Sequence, residues 1–180
     1  TRPIIISINS CFFGGVNVRM LLSFLFLTSI SGAAGAQSIQ RIDITEYGIY
    51  RAHVTNEISA LGTPTGTVAL VNEIKLVQAT TTVPARLGVS FGIRFKIVGR
   101  KGGSVNLKMV TLIPQPGIRN PKTGNTSVRS EYLRTKKINS VHYSDYSFDS
   151  PWEIVAGKWT LEIWDGNRKL ASQSFNVVAP

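Results

Sequence analysis

The chain has 180 residues, with 20 Lys or Arg against 10 Asp or Glu for a formal net charge of +10, and a single cysteine, Cys11. That length suits one domain with a proper hydrophobic core and excludes two comfortable ones. One thiol excludes an internal disulfide and any metal site built on several thiolates.

Residues 21–30 form a short apolar run, residues 31–36 are small, and Ala34-Gly35-Ala36 fits the A-x-A rule of a signal-peptidase site. The run is about half the roughly 20 apolar residues that a membrane-spanning helix needs. Residues 20–36 are therefore expected to be a secretion signal that leaves Gln37 as the new N-terminus. Translation from Met20 makes residues 1–19 an upstream or mis-assigned segment, whereas Arg19, as a basic flank to the apolar core, argues for a start before it. Export places the protein in the periplasm or outside the cell. Residues 37–180 then form one domain with no cysteine and no membrane span, held by its core alone. Loss of Arg2 and Arg19 leaves 18 basic against 10 acidic residues, a formal +8. Such a surface favours anionic partners with strong salt dependence, and it also serves to keep a small domain soluble.

Beyond Gln37 the apolar period is two almost everywhere. Ile42 and Ile44 begin a strand whose phase shifts to Tyr47 and Ile49, which predicts a bulge at Thr45 to Glu46. Val68, Leu70, Asn72, Ile74 and Leu76 alternate next. Leu87, Val89, Phe91, Ile93, Phe95 and Ile97 give the clearest strand, opposite an outward row of Gly88, Ser90, Gly92, Arg94, Lys96 and Val98. After Gly102-Gly103 the alternation returns through Val105, Leu107, Met109, Thr111 and Ile113, as the second arm of a hairpin. Pro114, Pro116, Gly117, Pro121 and Gly124 predict a long surface loop. Weaker strands follow over residues 128–134 and 141–148. The end is a hairpin, with Trp159, Leu161 and Ile163 facing inward, Asp165-Gly166-Asn167 turning, and Phe175 and Val177 returning inward. About eight short strands at roughly ten-residue spacing predict an all-β, antiparallel sandwich of immunoglobulin-like type, with a closed barrel as the alternative.

The segments Glu46-Tyr47-Gly48-Ile49-Tyr50, Phe91-Gly92-Ile93-Arg94-Phe95, Pro121-Lys122-Thr123-Gly124, Pro151-Trp152-Glu153, Gly157-Lys158-Trp159, and Asp165-Gly166 through Phe175-Asn176-Val177 carry a resemblance. From about Ile42 to Val178 the chain resembles a family of small exported bacterial proteins described as a domain of unknown function. The resemblance implies an immunoglobulin-like sandwich. Its motifs are turn and core residues, so it carries no catalytic or binding residue over to this chain. Trp152 and Trp159 are expected to close one end of the core. Trp164 is out of phase with Trp159, Leu161 and Ile163, and is expected on the opposite side as an aromatic contact.

Apparent catalytic signals fail on context. Gly88-Val89-Ser90-Phe91-Gly92 matches G-x-S-x-G, yet that chemistry needs a sharp strand-to-helix turn, and here the pattern lies inside an alternating strand. After Ser90 the only histidine is His142, and only Glu131 lies between them as an acid. Ser90 is expected to face solvent. His142, Asp145 and Asp149 make a sparse ligand set, His53 stands apart, and no calcium or phosphate loop is present. No metal or cofactor is implied. Glu73, Glu131, Asp145 and Glu153 could supply a glycosidase pair only if the fold gathered two of them in a cleft.

The cations have more pattern. Arg94 and Lys96 share one strand face, Arg100 and Lys101 the following turn and Lys108 the next strand, while Arg134, Lys136 and Lys137 form a second cluster. Together they are expected to form a basic patch, although lysines on exposed strands also discourage edge-to-edge aggregation. The leading expectation is a non-enzymatic binding or accessory module of the cell envelope that contacts an anionic polymer, glycolipid or partner protein; nucleic acid is not the expected partner. The alternative is a structural or assembly protein that pairs by β-strand addition. A hydrolase ranks third.

Overall fold

The computed structural model describes residues 39–100 and 102–179. The expected secretion signal, the segment before it, Cys11 and Lys101 lie outside the described residues. The strands are β1 (Ile39–Ser59), β2 (Thr67–Gln78), β3 (Thr82–Pro84), β4 (Ser90–Gly99), β5 (Ser104–Leu112), β6 (Ile118–Arg119), β7 (Thr126–Ser127), β8 (Arg129–Lys137), β9 (Val141–Ser147), β10 (Gly157–Asp165) and β11 (Arg168–Val178). A single 3-10 turn, Pro151–Glu153, is the only helical element among the described residues. Eight strands have seven residues or more; β3, β6 and β7 have two or three.

Two sheets face each other, one in the order β2-β1-β4-β9 and one in the order β3-β11-β10-β5-β8, while β6 and β7 form a separate ribbon. Every pairing is antiparallel except the short one between β3 and β11. The two-residue alternation places Phe91, Ile93, Phe95 and Ile97 of β4 inward at 0% exposure, against Leu107 and Met109 of β5, Trp159, Leu161 and Ile163 of β10, and Phe175 of β11. Phe91 is the centre of this contact. Its ring lies 5.7 Å from Trp159, 5.1 Å from Phe175 and 5.6 Å from Phe148. Burying each such side chain contributes about 1.5–3 kcal/mol, and the tilted and edge-on ring pairs add to it.

The bulge expected in β1 is present, with the register between β1 and β4 shifting between Ile44 and Glu46. Three expectations are corrected. First, β4 and β5 do not form a hairpin: β4 pairs with β1 and β9, β5 with β10 and β8, and the turn between them carries the chain from one sheet to the other. Secondly, the stretch after Pro114 is not only surface loop, because it contains the ribbon β6-β7 and buries Ile118 completely. Thirdly, β2 forms where the alternation placed it, but its apolar positions join no buried core. None of its residues is fully buried, and its alternation breaks at Glu73, which takes φ +50°.

That third correction defines the most unusual element. Strand β1 runs 21 residues, pairing with β4 through Tyr50 and with β2 only from Ile49 onward, so its second half and β2 extend as an arm. The arm tip is fastened to the other sheet. Glu131 N–H of β8 donates to Gly62 O at 2.8 Å, and Asn120 Nδ2 donates to Pro64 O at 2.8 Å. A Cβ on Gly62 would stand 2.2 Å from Glu131 O, so this contact requires glycine.

Candidate functional site

The fold divides the predicted basic patch. Arg94 and Lys96 lie on the outer face of β4, where Arg94 is partly neutralised by Glu46 at 3.5 Å and also donates to Ile74 O on the arm, while Lys96 sits between Asp43 and Val141. Arg100 is exposed in the turn beyond. Lys108 belongs to the other sheet, so it does not join them. Along β8, Arg134 and Lys136 share the inward-side register with Leu107 and Val105, at the seam where the sheets meet. Arg134 lies 5.4 Å from the Tyr132 ring, and burial, followed by the neighbouring Arg134 charge, pushes the Lys136 ammonium below its ordinary pKa. Lys137 points outward. The single cationic face expected from the sequence is therefore not formed by these residues together.

A smaller arrangement does form on the outer face of the five-stranded sheet. Trp164 of β10 stands opposite Lys108 of β5 and Lys169 of β11, whose ammonium groups lie 5.9 and 5.5 Å from its ring centre. Both contacts are at cation–π distance. Glu162, only 5% exposed, accepts Trp164 Nε1–H at 2.9 Å through one oxygen and the Lys169 ammonium at 2.9 Å through the other. This fixes the indole orientation. Lys137 and Lys158 occupy the same face, while Glu131 is taken by Arg129 at 3.0 Å. Trp164 was singled out in the sequence by its phase; its pairing with Lys108 and Lys169 was not visible, because it depends on which strands flank β10.

A second concave surface lies beneath the arm, a cleft of about 690 Å³ between the arm and the end of the sandwich. Its floor includes Tyr132, Tyr146, Trp152, Asp145 and Glu153, and its rim carries Arg51, Arg86 and Lys122. Tyr146 Oη donates to Glu153 Oε2 at 3.0 Å, and burial pushes the Glu153 carboxyl up. Burial also raises Asp145, although Ser90 donates to its Oδ2 at 2.8 Å and Ser147 at 3.4 Å. Asp149 is raised by burial and then by the Glu57 charge. Asp145 and Glu153 thus both border this cleft, Asp145 from the outward side of β9 and Glu153 beside the inward Tyr146, while Glu73 and Glu131 stay exposed outside it.

Ser90 is corrected from a solvent-facing residue to one 9% exposed, because the arm covers this part of the outer face. Beside it, Tyr50 and Tyr143 meet edge-on at 4.9 Å over Gly92, and burial pushes the Tyr50 phenol up to about 12. His142 is one face away. It lies inward at 5.7 Å from Phe95, with its Nε2 2.7 Å from Lys137 O, and burial lowers its pKa. Strand alternation therefore puts His142 and Asp145 on opposite sides of β9, so Ser90, Asp145 and His142 do not assemble as a triad. Among the described residues no group of three His, Cys, Asp or Glu is placed to hold a metal ion.

Comparison with known proteins agrees with this architecture. An immunoglobulin-like protein from Pseudomonas aeruginosa, known from a crystal structure, is 29% identical with a TM-score of 0.55, over 80% of this chain and 100% of that one. No curated protein matches the chain. A family model described as "Domain of unknown function (DUF3859)" matches residues 38–177. By that match, and with an all-β immunoglobulin-like fold to support it, the chain belongs to the DUF3859 family.

Proposed function

We propose that the protein is an exported, non-enzymatic binding module of the cell envelope that contacts an anionic polymer or glycolipid through the outer face of its five-stranded sheet. The observation that carries this reading is Trp164 held by Glu162 between Lys108 and Lys169. A fixed aromatic ring flanked by ammonium groups offers stacking and charge to the same acidic sugar unit. Export rests on the apolar run and A-x-A site of residues 20–36. The non-enzymatic reading rests on the separation of Ser90 from His142 and on carboxyls that are pushed up together rather than apart.

Retention on an acidic-polysaccharide column tests this reading. Lys108→Ala with Lys169→Ala, and Trp164→Ala alone, are expected to elute at lower salt than the parent. Lys96→Ala with Arg100→Ala removes as much charge from elsewhere and is expected to shift elution less. Equal shifts for the two double variants would mean that retention follows net charge alone, and the reading would fail.

One observation favours strand addition as a second reading. Residues 39–48 of β1 pair with β4 on one side and have no strand partner on the other among the described residues. Association by that edge would be insensitive to salt and lost in Thr45→Pro, which places proline at the bulge.

A further inference from the structure

The cleft beneath the arm is independent of the Trp164 face. Trp152, half-buried on the 3-10 turn, packs against the core but enters no ring–ring contact among the described residues, whereas Tyr146, Phe148 and Trp159 stack on one another behind it. Beside it Tyr146 is bonded to Glu153 on the inward side of β9, while Ser90 and Ser147 hold Asp145 on the outward side. No cation pairs with these carboxyls among the described residues, and the basic side chains stay at the rim.

These features select a ligand by elimination. A purely apolar guest would desolvate the Glu153 carboxyl and Tyr146 hydroxyl without offering their remaining lone pairs a hydrogen bond. An anion would meet the Glu153 carboxyl, which no cation pairs with among the described residues. A sugar ring brings an apolar face for the free side of an indole, together with hydroxyls that both donate and accept, and a volume of about 690 Å³ lies within the size range of small-ligand sites. We infer that the cleft is a saccharide-binding site, with Trp152 as its stacking surface, Glu153 and the Tyr146 hydroxyl as its hydrogen-bonding groups, and the arm as its outer wall.

The test follows the Trp152 indole N–H signal by NMR while the purified protein is titrated separately with chitotetraose, maltotetraose, cellotetraose and, as an amine control, spermidine. At least one tetrasaccharide is expected to give a saturable shift that spermidine does not. Trp152→Ala and the isosteric Glu153→Gln are each expected to weaken that binding about tenfold, read for the first variant from the Tyr146 ring signals. Because Trp152→Ala also removes packing, Glu153→Gln with an unchanged melting temperature is the decisive variant. Trp164→Ala is expected to leave the titration unaltered, which separates this site from the anionic face. The inference is overturned if no tetrasaccharide moves the signal, if spermidine moves it as strongly, or if Glu153→Gln binds as the parent does. Cleavage of a tetrasaccharide would support the site and overturn the non-enzymatic reading.

Discussion

Three single residues turn local geometry into measurable stability. Gly92 lies on the covered face of β4, and a Cβ there would stand 2.4 Å from Ser144 O and 2.8 Å from Asp145 Cβ. Its backbone needs no unusual φ, so the requirement is one of space. Gly92→Ala is expected to cost about 2 kcal/mol in urea denaturation, the usual scale of overpacking. Trp159, at 0% exposure and with Nε1 donating to Val155 O at 2.7 Å, fills the centre of the core. Replacing it by alanine should cost about 3–5 kcal/mol and leave the domain unfolded or close to it by circular dichroism. Asp145 works against stability when ionised. Its folded pKa is raised, so the folded state holds the proton to higher pH than the unfolded chain does, and its contribution becomes less favourable as pH rises above roughly 4. His142 has a lowered pKa and opposes this trend on the acid side of its ordinary range. The contrast with Asp145→Asn isolates the carboxyl: the variant's melting temperature relative to the parent should increase as the pH rises above roughly 4. A difference that stays flat with pH would refute a raised Asp145.

At the scale of elements, alternation was a good guide wherever one strand face met the core. Residues 87–98, 105–113 and 157–178 could be read in advance because a buried face admits only large apolar side chains at every second position. Leu87 was the exception, at 51% exposure just before β4 begins. Partnership was not legible in the same way. Gly102 and Gly103 show that the chain reverses, but a reversal within one sheet and a passage between two use the same residues, and that ambiguity misplaced Lys108. The arm was hidden for another reason. Val68, Leu70, Ile74 and Leu76 alternate like core residues although none of them is buried, so their period records a strand without saying what it packs on. With so little of the arm buried, its tip is held by the contacts at Gly62 and Pro64, of which the one at Gly62 tolerates no side chain. Gly62→Val is expected to release the tip, seen as rapid proteolytic cleavage between residues 59 and 67, while the melting temperature of the sandwich changes little. Cleavage no faster than in the parent would show that the arm is held elsewhere.

At the scale of the whole molecule, the candidate surfaces were legible as chemistry and not as places. Sequence marked Trp164, Lys108, Asp145 and Glu153 by type and phase; only the sheet order brought the first two together and set the last two at the border of one cleft. The order of those sheets has a further effect on how the chain reaches its shape. Strand β3 lies beside β11, joining Val83 to Val177 across nearly a hundred residues, and the neighbours of β1 include a strand that starts forty residues after the arm begins. Closing such distant loops is slow, on the order of milliseconds to seconds for sandwiches of this kind. A chain made from its N-terminus onward cannot finish this arrangement until β11 has been made. Strand β11 therefore acts as the keystone of its sheet, and truncation after Phe175 should yield material that is rapidly degraded by added protease.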